Sequence, residues 1–472
     1  MIGRAKEVGI LKKAMDSKES EFVAVYGRRR IGKTYLVRQF FANKFVFQHT
    51  GLEDGNMERQ LSEFRDALKD SGLADCPELD GWQMAFRKLK ELVEKSKEKR
   101  KVIFIDEMPW MDTPRSGFIS ALEHFWNAWM SARDDVVLVI CGSATSWIIN
   151  KVIRNRGGLH NRVTMTIPLE PFNLGECEAY AKSRGLRLSK LEVVELYMIL
   201  GGVAFYWRQL EKGVSVAQNI DRLLFSKSGI LRGEFDRLFA SLFKNDDAYR
   251  RIVFALSKKQ SLTAEELLEA LKAPKGGRWT RRLEELEQCG FIRRYTAWGK
   301  KERESRYQLI DAFSQFHLRF IRGESNPDER YWQHSASLPV LNSWRGLAFE
   351  RICLWHVNQI KAALGISGVQ TKVFSWYHKP DAEYRQGAQI DLIIDRMDRM
   401  VNVCEMKFSS EPFVITKKYA AELAVKVGTF RDVAKVRKGI QLTFITGCGL
   451  SDNQYRNVAD STIGVEDLFK CM

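Results

Sequence analysis

The sequence predicts a multidomain α/β protein, and three observations carry the prediction. The chain has 472 residues, more than a single compact core holds, so two to four domains are expected. Near its start a short buried-strand pattern, Phe22–Tyr26, runs into a glycine-bounded loop and then into a helical pattern, "VAVYGRRRIGKTYLVRQFF" over 23–41. Near its end, alternating strand patterns at 387–395 and 400–410 precede a helix, Lys417–Arg431, and a further strand, Gly439–Thr446.

The loop at 27–34 reads Gly27-Arg28-Arg29-Arg30-Ile31-Gly32-Lys33-Thr34 and fits G-x-x-x-x-G-K-S/T. Backbone N–H groups in such a loop point inward at phosphate oxygens, and the following helix adds the positive end of its dipole. Lys33 is expected to reach the β- and γ-phosphates of ATP and Thr34 to ligate Mg²⁺; Tyr35 completes the cofactor-binding stretch. The extra positive charge of Arg28, Arg29 and Arg30 either helps to hold polyphosphate or faces another domain or DNA.

A phosphate loop needs an acidic partner for its metal. "KVIFIDEMPW", 101–110, supplies one: a buried strand ending in Asp106-Glu107. Asp106 is expected to hold Mg²⁺ through water, and Glu107 to orient and activate the attacking water. A third buried strand, "VVLVICGSA" over 136–144, ends beside Ser143, which either senses the γ-phosphate, with Thr145 as second candidate, or caps the next helix.

Residues 171–245 read as helices, with "LSKLEVVELYMILGG" ending in glycines, and are expected to form a lid on a core spanning 1–170. From Ala248 three short amphipathic helices follow, the second with Thr263 and Glu266 at capping-box spacing. Two alternating segments then run from Phe291 to Ile310. Three helices and a hairpin suggest a winged helix-turn-helix over 246–325. Between Lys272 and Arg306 there are eleven Lys/Arg against five Asp/Glu. Arg278, Arg281, Arg282, Arg293 and Arg294 are therefore candidate phosphate contacts on DNA, the alternative being a protein–protein joint.

In the C-terminal segment, 335–472, Glu405 and Lys407 are two apart on a strand and share a face, with Asp391 on the preceding strand and Glu350 on an amphipathic helix upstream. Asp391 and Glu405 can hold Mg²⁺ or Mn²⁺ with water, and a lysine beside them can place the attacking water and neutralise developing charge.

These motifs, in this order, resemble the AAA-like P-loop ATPases, and within them the archaeal-type ATPases of the STAND-related group. "IGRAKEVGIL" resembles the family's opening, which implies Arg4 and Glu7 near the nucleotide. "GGLHNRVTMTIPLEPF", 157–172, resembles its loop-arginine-strand element and makes Arg162 a candidate arginine finger or sensor. "LGGVAFYW", 200–207, resembles its Gly-Gly signature, with Ala204 where proline usually stands, and "YQLIDAFSQFHLRFI" resembles the segment after the wing. The C-terminal segment resembles the PD-(D/E)xK nucleases, and also the domain usually attached to archaeal-type ATPases. That likeness implies a restriction-endonuclease-like α/β fold with Glu350, Asp391, Glu405 and Lys407 in catalytic positions; Ile390 stands where the motif's proline is usual.

The net charge of +16 suits a polyanion partner. Eight scattered cysteines without a C-x-x-C pair fit a reducing compartment. The opening MIGRAKEVGILKK has no apolar core of signal-peptide length, and no apolar run approaches a membrane span, so a cytoplasmic protein is expected. Two functions remain open. One is an ATPase acting on DNA through a metal-dependent nuclease-like domain. The other is a STAND-like nucleotide switch, oligomeric or bound to a protein partner, that cuts nothing.

Overall fold

The computed structural model describes residues 1–155, 157–243, 245–323, 328–335, 338–384 and 387–470. The expected domain ends at 325 and 472 lie outside the described residues. By backbone contacts the chain divides into two compact units: Met1–Pro171 with Glu284–Gly290, and the remainder.

The first unit is built on five parallel strands: β1 (Glu21–Tyr26), β2 (Phe47–Thr50), β3 (Lys101–Asp106), β4 (Val136–Gly142) and β5 (Met165–Pro168), in the order β2-β3-β4-β1-β5. β3 and β4 are buried along their whole length and β1 over all but its last residue, which is why they read as continuous apolar runs rather than alternating ones. Helices cover both faces. On one, Phe64, Trp82, Phe86, Phe118 and Phe125 pack together, and each fully buried phenylalanine stabilises by about 1.5–3 kcal/mol. On the other, Leu36 and Val37 of the helix Lys33–Phe40 pack against Val23, Val25 and Val139. The parallel arrangement puts every strand's C-terminal end on one edge of the sheet, and the chemistry-bearing loops leave from that edge.

The second unit begins with helices. Those at Leu174–Ser183 and Lys190–Leu200 open with capping boxes, Asn173 with Glu176 and Ser189 with Glu192. Gly202 lets Phe172 approach: a Cβ there would stand 1.8 Å from the Phe172 carbonyl oxygen, and the Phe172 N–H donates to Gly202 O at 2.8 Å. Ala204 is the first residue of the helix Ala204–Arg208. Proline is favoured at that position because its N–H is not needed there, so alanine in its place keeps the chain direction.

Three helices follow, Asp247–Ser257, Ala264–Leu271 and Gly277–Gln288, with a small antiparallel sheet of β6 (Leu262–Thr263), β7 (Ile292–Tyr295) and β8 (Arg306–Leu309) in the order β6-β8-β7. The loop between β7 and β8 does not end in solvent. The Trp298 N–H donates to Ser375 O at 2.8 Å, and its indole packs edge-on against Phe374 and Phe430.

Those partners belong to the last sheet: β9 (Thr371–His378), β10 (Ala388–Arg396), β11 (Met400–Lys407), β12 (Gly439–Thr446) and β13 (Ser461–Gly464), ordered β13-β12-β11-β10-β9. β9, β10 and β11 are antiparallel neighbours; β11, β12 and β13 run parallel. The helix Lys417–Val433 makes the crossover that a parallel β11–β12 pair requires. No helix among the described residues is long and apolar enough to cross a membrane.

Candidate functional sites

The phosphate loop leaves β1 at Gly27, whose φ is 143° and where a Cβ would stand 2.2 Å from the Leu169 carbonyl oxygen. Only glycine fits. Gly32, φ 97°, closes the loop and starts the helix Lys33–Phe40, whose first N–H groups have no intrahelical acceptor and are free to meet an anion. Lys33 is buried, and its ammonium donates to Gly27 O at 2.9 Å and Arg28 O at 2.8 Å. Arg4 lies beside the loop, 3.6 Å from Glu7 and 3.5 Å from the Ile31 carbonyl oxygen. Arg28 is buried, Arg29 lies 3.6 Å from Glu53, Arg30 has a left-handed backbone, and Tyr35 is 63% exposed.

Asp106 and Glu107 end β3 on the same edge of the sheet. The Thr34 hydroxyl donates to Asp106 Oδ2 at 2.7 Å, and the Glu107 N–H to Asp106 Oδ1 at 3.0 Å. Glu107 itself is left-handed, φ 44°, a conformation that costs energy in a residue with a side chain and tends to mark working sites. Its Oε2 accepts from both the N–H and the hydroxyl of Ser143, each at 2.9 Å. Thr145 turns back toward the Ser143 carbonyl instead. Ser143 is thus the residue that engages Glu107.

Arg162, a candidate finger or sensor for its own or a neighbouring chain, lies toward the other edge of the sheet. The neighbouring Thr164 bonds Phe22 at the beginning of β1, whereas the phosphate loop follows Tyr26 at its end. Four residue steps of strand separate those points by about 13 Å. Arg162 is exposed on the far edge and does not join the phosphate loop of its own chain. The arginine nearer the loop edge is Arg154, whose charge opposes the burial that raises the Tyr26 phenol above its ordinary pKa.

The second constellation lies in the other unit. β10 and β11 pair in a register whose last pair is Leu392–Cys404, which brings the next residues, Asp391 and Glu405, alongside. A bulge between Ile390 and Ile393 turns Leu392 and Ile393 both inward and aims Asp391 away from the core. Lys407 Nζ stands 3.0 Å from Glu405 Oε1. Lys426, on the helix Lys417–Val433, stands 2.9 Å from Oε2, and the Tyr419 hydroxyl donates to Oε1 at 2.5 Å. Burial opposes ionisation of Glu405, but Lys426 and Lys407 win and hold its pKa below the ordinary value. Tyr419 is raised in turn, by burial and then by the Glu405 charge.

Glu350, on the helix Pro339–Trp355, feels this site strongly. Burial and then the Asp391 carboxylate push its pKa up from 4.5 to about 7. Asp391 is also raised, burial first, with Glu405 adding to the effect. The structure therefore gathers all four residues expected here. It adds Lys426 and Tyr419, seven apart on one helix face, and Gln389, two before Asp391.

Among the described residues no three or more His, Cys, Asp or Glu side chains are grouped to hold a metal by themselves. At the first site, Thr34 and Asp106 fit Mg²⁺, an ion that keeps several waters and takes phosphate oxygens as further ligands. At the second, Asp391 and Glu405 offer oxygens; burial first and the neighbouring carboxylates second raise Glu350 and Asp391.

Residues 1–210 match the family model described as an ATPase domain predominantly from Archaea. The chain carries an archaeal-type ATPase domain. It is 23% identical over 411 residues to the uncharacterized protein MJECL04 of Methanocaldococcus jannaschii, covering 86% of this chain and 87% of that protein. It is 35% identical over 45 residues to the uncharacterized ATP-binding protein MJ0423 of the same organism, covering 10% of this chain and 76% of that one. Among solved structures, the Walker-type ATPase PABY2304 of Pyrococcus abyssi aligns with a TM-score of 0.49 at 16% identity, over 68% of this chain and 96% of that one. The ORC2 protein of Aeropyrum pernix aligns with a TM-score of 0.40 at 13% identity, over 67% and 93%.

In this ATPase domain Ser143→Ala removes one of the two hydrogen bonds that fix Glu107. A bond to a charged group at this strength predicts a fall in kcat for ATP hydrolysis of about tenfold, with ATP affinity unchanged. Steady-state phosphate release beside nucleotide titration checks it.

Proposed function

We propose that the ATPase domain hydrolyses ATP and that the second unit acts on DNA, as a winged helix joined to a PD-(D/E)xK-type nuclease domain under control of nucleotide state. Glu107 activates the attacking water, Asp106 and Thr34 serve the Mg²⁺ that neutralises phosphate charge, and Lys33 holds the β- and γ-phosphates. Arg162 serves a neighbouring copy if it acts as a finger, since it stands away from its own phosphate loop. The observation that carries the DNA reading is the convergence of Glu350, Asp391, Glu405 and Lys407 on one site of the last sheet. The strand and helix order there suits the nuclease fold, and the three helices with the β6-β8-β7 sheet suit a winged helix.

The arginines expected to touch DNA divide. Arg278 and Arg281 are exposed. Arg282 lies over the Tyr249 ring. Arg293 is drawn in, donating to Gln308 at 2.8 Å with Asp391 nearby, and Arg294 pairs with Glu302 at 3.5 Å. A further surface is a 420 Å³ cavity lined by Lys275, Lys300, Arg303 and Arg306 with Trp279 and Tyr377, and also by the acids Glu265 and Glu304. It offers both cations and aromatic faces.

The test is cleavage of plasmid and single-stranded DNA with Mg²⁺ or Mn²⁺, with and without ATP. Lys407→Ala is expected to lower cutting by about 100-fold or more, and Lys33→Ala to remove its dependence on ATP. Cutting that persists in Lys407→Ala overturns the assignment of the site.

A second reading is supported by the docking of Trp298 on the last sheet and by the commitment of Glu405 to two lysines and a tyrosine. Both suit a joint that is not cutting. In that reading the protein is a nucleotide switch that binds a protein partner or its own copies. ATP hydrolysis without cutting under any condition, together with an ATP-dependent change in assembly, favours it.

A further inference from the structure

The loop between the helix Asp247–Ser257 and β6 carries Gln260. Its side-chain amide donates to Asp391 Oδ1 at 2.7 Å. Gln389, on β10, donates to that same oxygen at 2.7 Å and to Gln260 Oε1 at 2.5 Å. The three side chains close a triangle on the carboxylate oxygen of a residue expected to ligate metal. The loop is held in place from the next residue. Arg306, on β8, donates from Nε to the Ser261 hydroxyl and from its terminal nitrogen to the Ser261 carbonyl, both at 2.8 Å. Its guanidinium also lies over Tyr377 of β9, 5.5 Å from the ring centre. Gln260 is therefore presented to Asp391 by a fixed backbone.

We propose that Gln260 is a positioning residue of the C-terminal carboxylate site, holding Asp391 in place until a divalent cation displaces it. The inference rests on the reading of that site as a metal-dependent one. A carboxylate oxygen offers two lone pairs, and both amide donors reach the same oxygen of Asp391. A cation binding Oδ1 must remove at least one of them, and Gln260 is the one carried on a separate loop, whereas Gln389 is fixed two residues away on the same strand. An amide is well matched to such a place. It satisfies the carboxylate before a metal arrives and carries no charge to compete with a cation afterwards.

The test is Mn²⁺ titration of the full chain without nucleotide, in the wild type, Gln260→Ala, Gln260→Glu and Asp391→Ala. Gln260→Ala is expected to bind Mn²⁺ about tenfold more tightly, the worth of one hydrogen bond to a charged group. Gln260→Glu, which is isosteric but places a carboxylate against Asp391, is expected to bind more tightly still. Asp391→Ala is expected to lose the site. Amide exchange gives a metal-free readout, in which the segment 258–262 is expected to exchange faster in Asp391→Ala than in the wild type. Equal Mn²⁺ affinity in the wild type and both Gln260 variants, lost in Asp391→Ala, overturns the role of Gln260 and leaves the metal site standing. Mn²⁺ binding that ignores Asp391→Ala overturns the metal site and the inference with it.

Discussion

Glu107→Gln is expected to lower ATP turnover by about 100-fold or more, the usual worth of a positioned general base, while ATP affinity stays within about threefold of the wild type. The separation follows from the geometry. In the proposed function the loop N–H groups, Lys33 and Thr34 hold phosphate; in the structure Lys33 and Thr34 bond Gly27, Arg28 and Asp106. The Glu107 carboxylate is anchored elsewhere, by the N–H and hydroxyl of Ser143 at the end of β4. Both Ser143 donors meet the same oxygen, Oε2, so a glutamine with its amide oxygen there keeps both bonds but cannot take a proton from water. Lys33→Ala gives the contrast, losing affinity and turnover together, because its ammonium sits among the loop carbonyls where phosphate arrives. Phosphate release at saturating ATP, beside nucleotide binding at equilibrium, separates the two. Turnover in Glu107→Gln within about threefold of the wild type would place the base elsewhere.

The phosphate loop is legible in the sequence because its chemistry is local. Gly27, Gly32, Lys33 and Thr34 are neighbours in sequence, and Asp106-Glu107 sits at the end of an apolar run that only a buried parallel strand produces. Glu405 and Lys407 are legible for a similar reason, being two apart on one strand face. Gln260 is not, because 131 residues separate it from Asp391 and nothing near it marks a site. Lys426 and Tyr419 share a helix face, yet a lysine and a tyrosine seven apart on a helix are ordinary until the sheet beneath supplies Glu405. Arg162 is legible only in part. Its motif places it near β5, but only the strand's direction, fixed by Thr164 against Phe22, tells which edge of the sheet it occupies. The basic run at 272–306 reads as one surface in sequence, whereas the bond of half-buried Arg293 to Gln308 and the docking of Trp298 divide it between solvent and the last sheet.

Glu350→Gln is expected to stabilise the full chain at pH 8 relative to the wild type, and to lose that advantage on acidification. In the folded protein burial and Asp391 raise the Glu350 pKa from 4.5 to about 7. Below pH 4.5 the group is protonated in both folded and unfolded chains and contributes nothing to the difference. Between 4.5 and 7 the unfolded chain releases the proton and the folded chain keeps it, so folding stability falls as pH rises. Above 7 both forms are ionised, and the full cost of about 3 kcal/mol is present. Glutamine has no proton to lose, so the stability difference between the two proteins should widen by about that amount from pH 4.5 to 8, as read by urea unfolding across the range. A divalent cation bound by Asp391 and Glu405 acts on the same charge. Mn²⁺ at pH 8 should therefore recover most of the deficit in the wild type and much less in Glu350→Gln. A pH-independent difference between the two proteins would mean that neither burial nor the Asp391 carboxylate raises Glu350 in the folded chain.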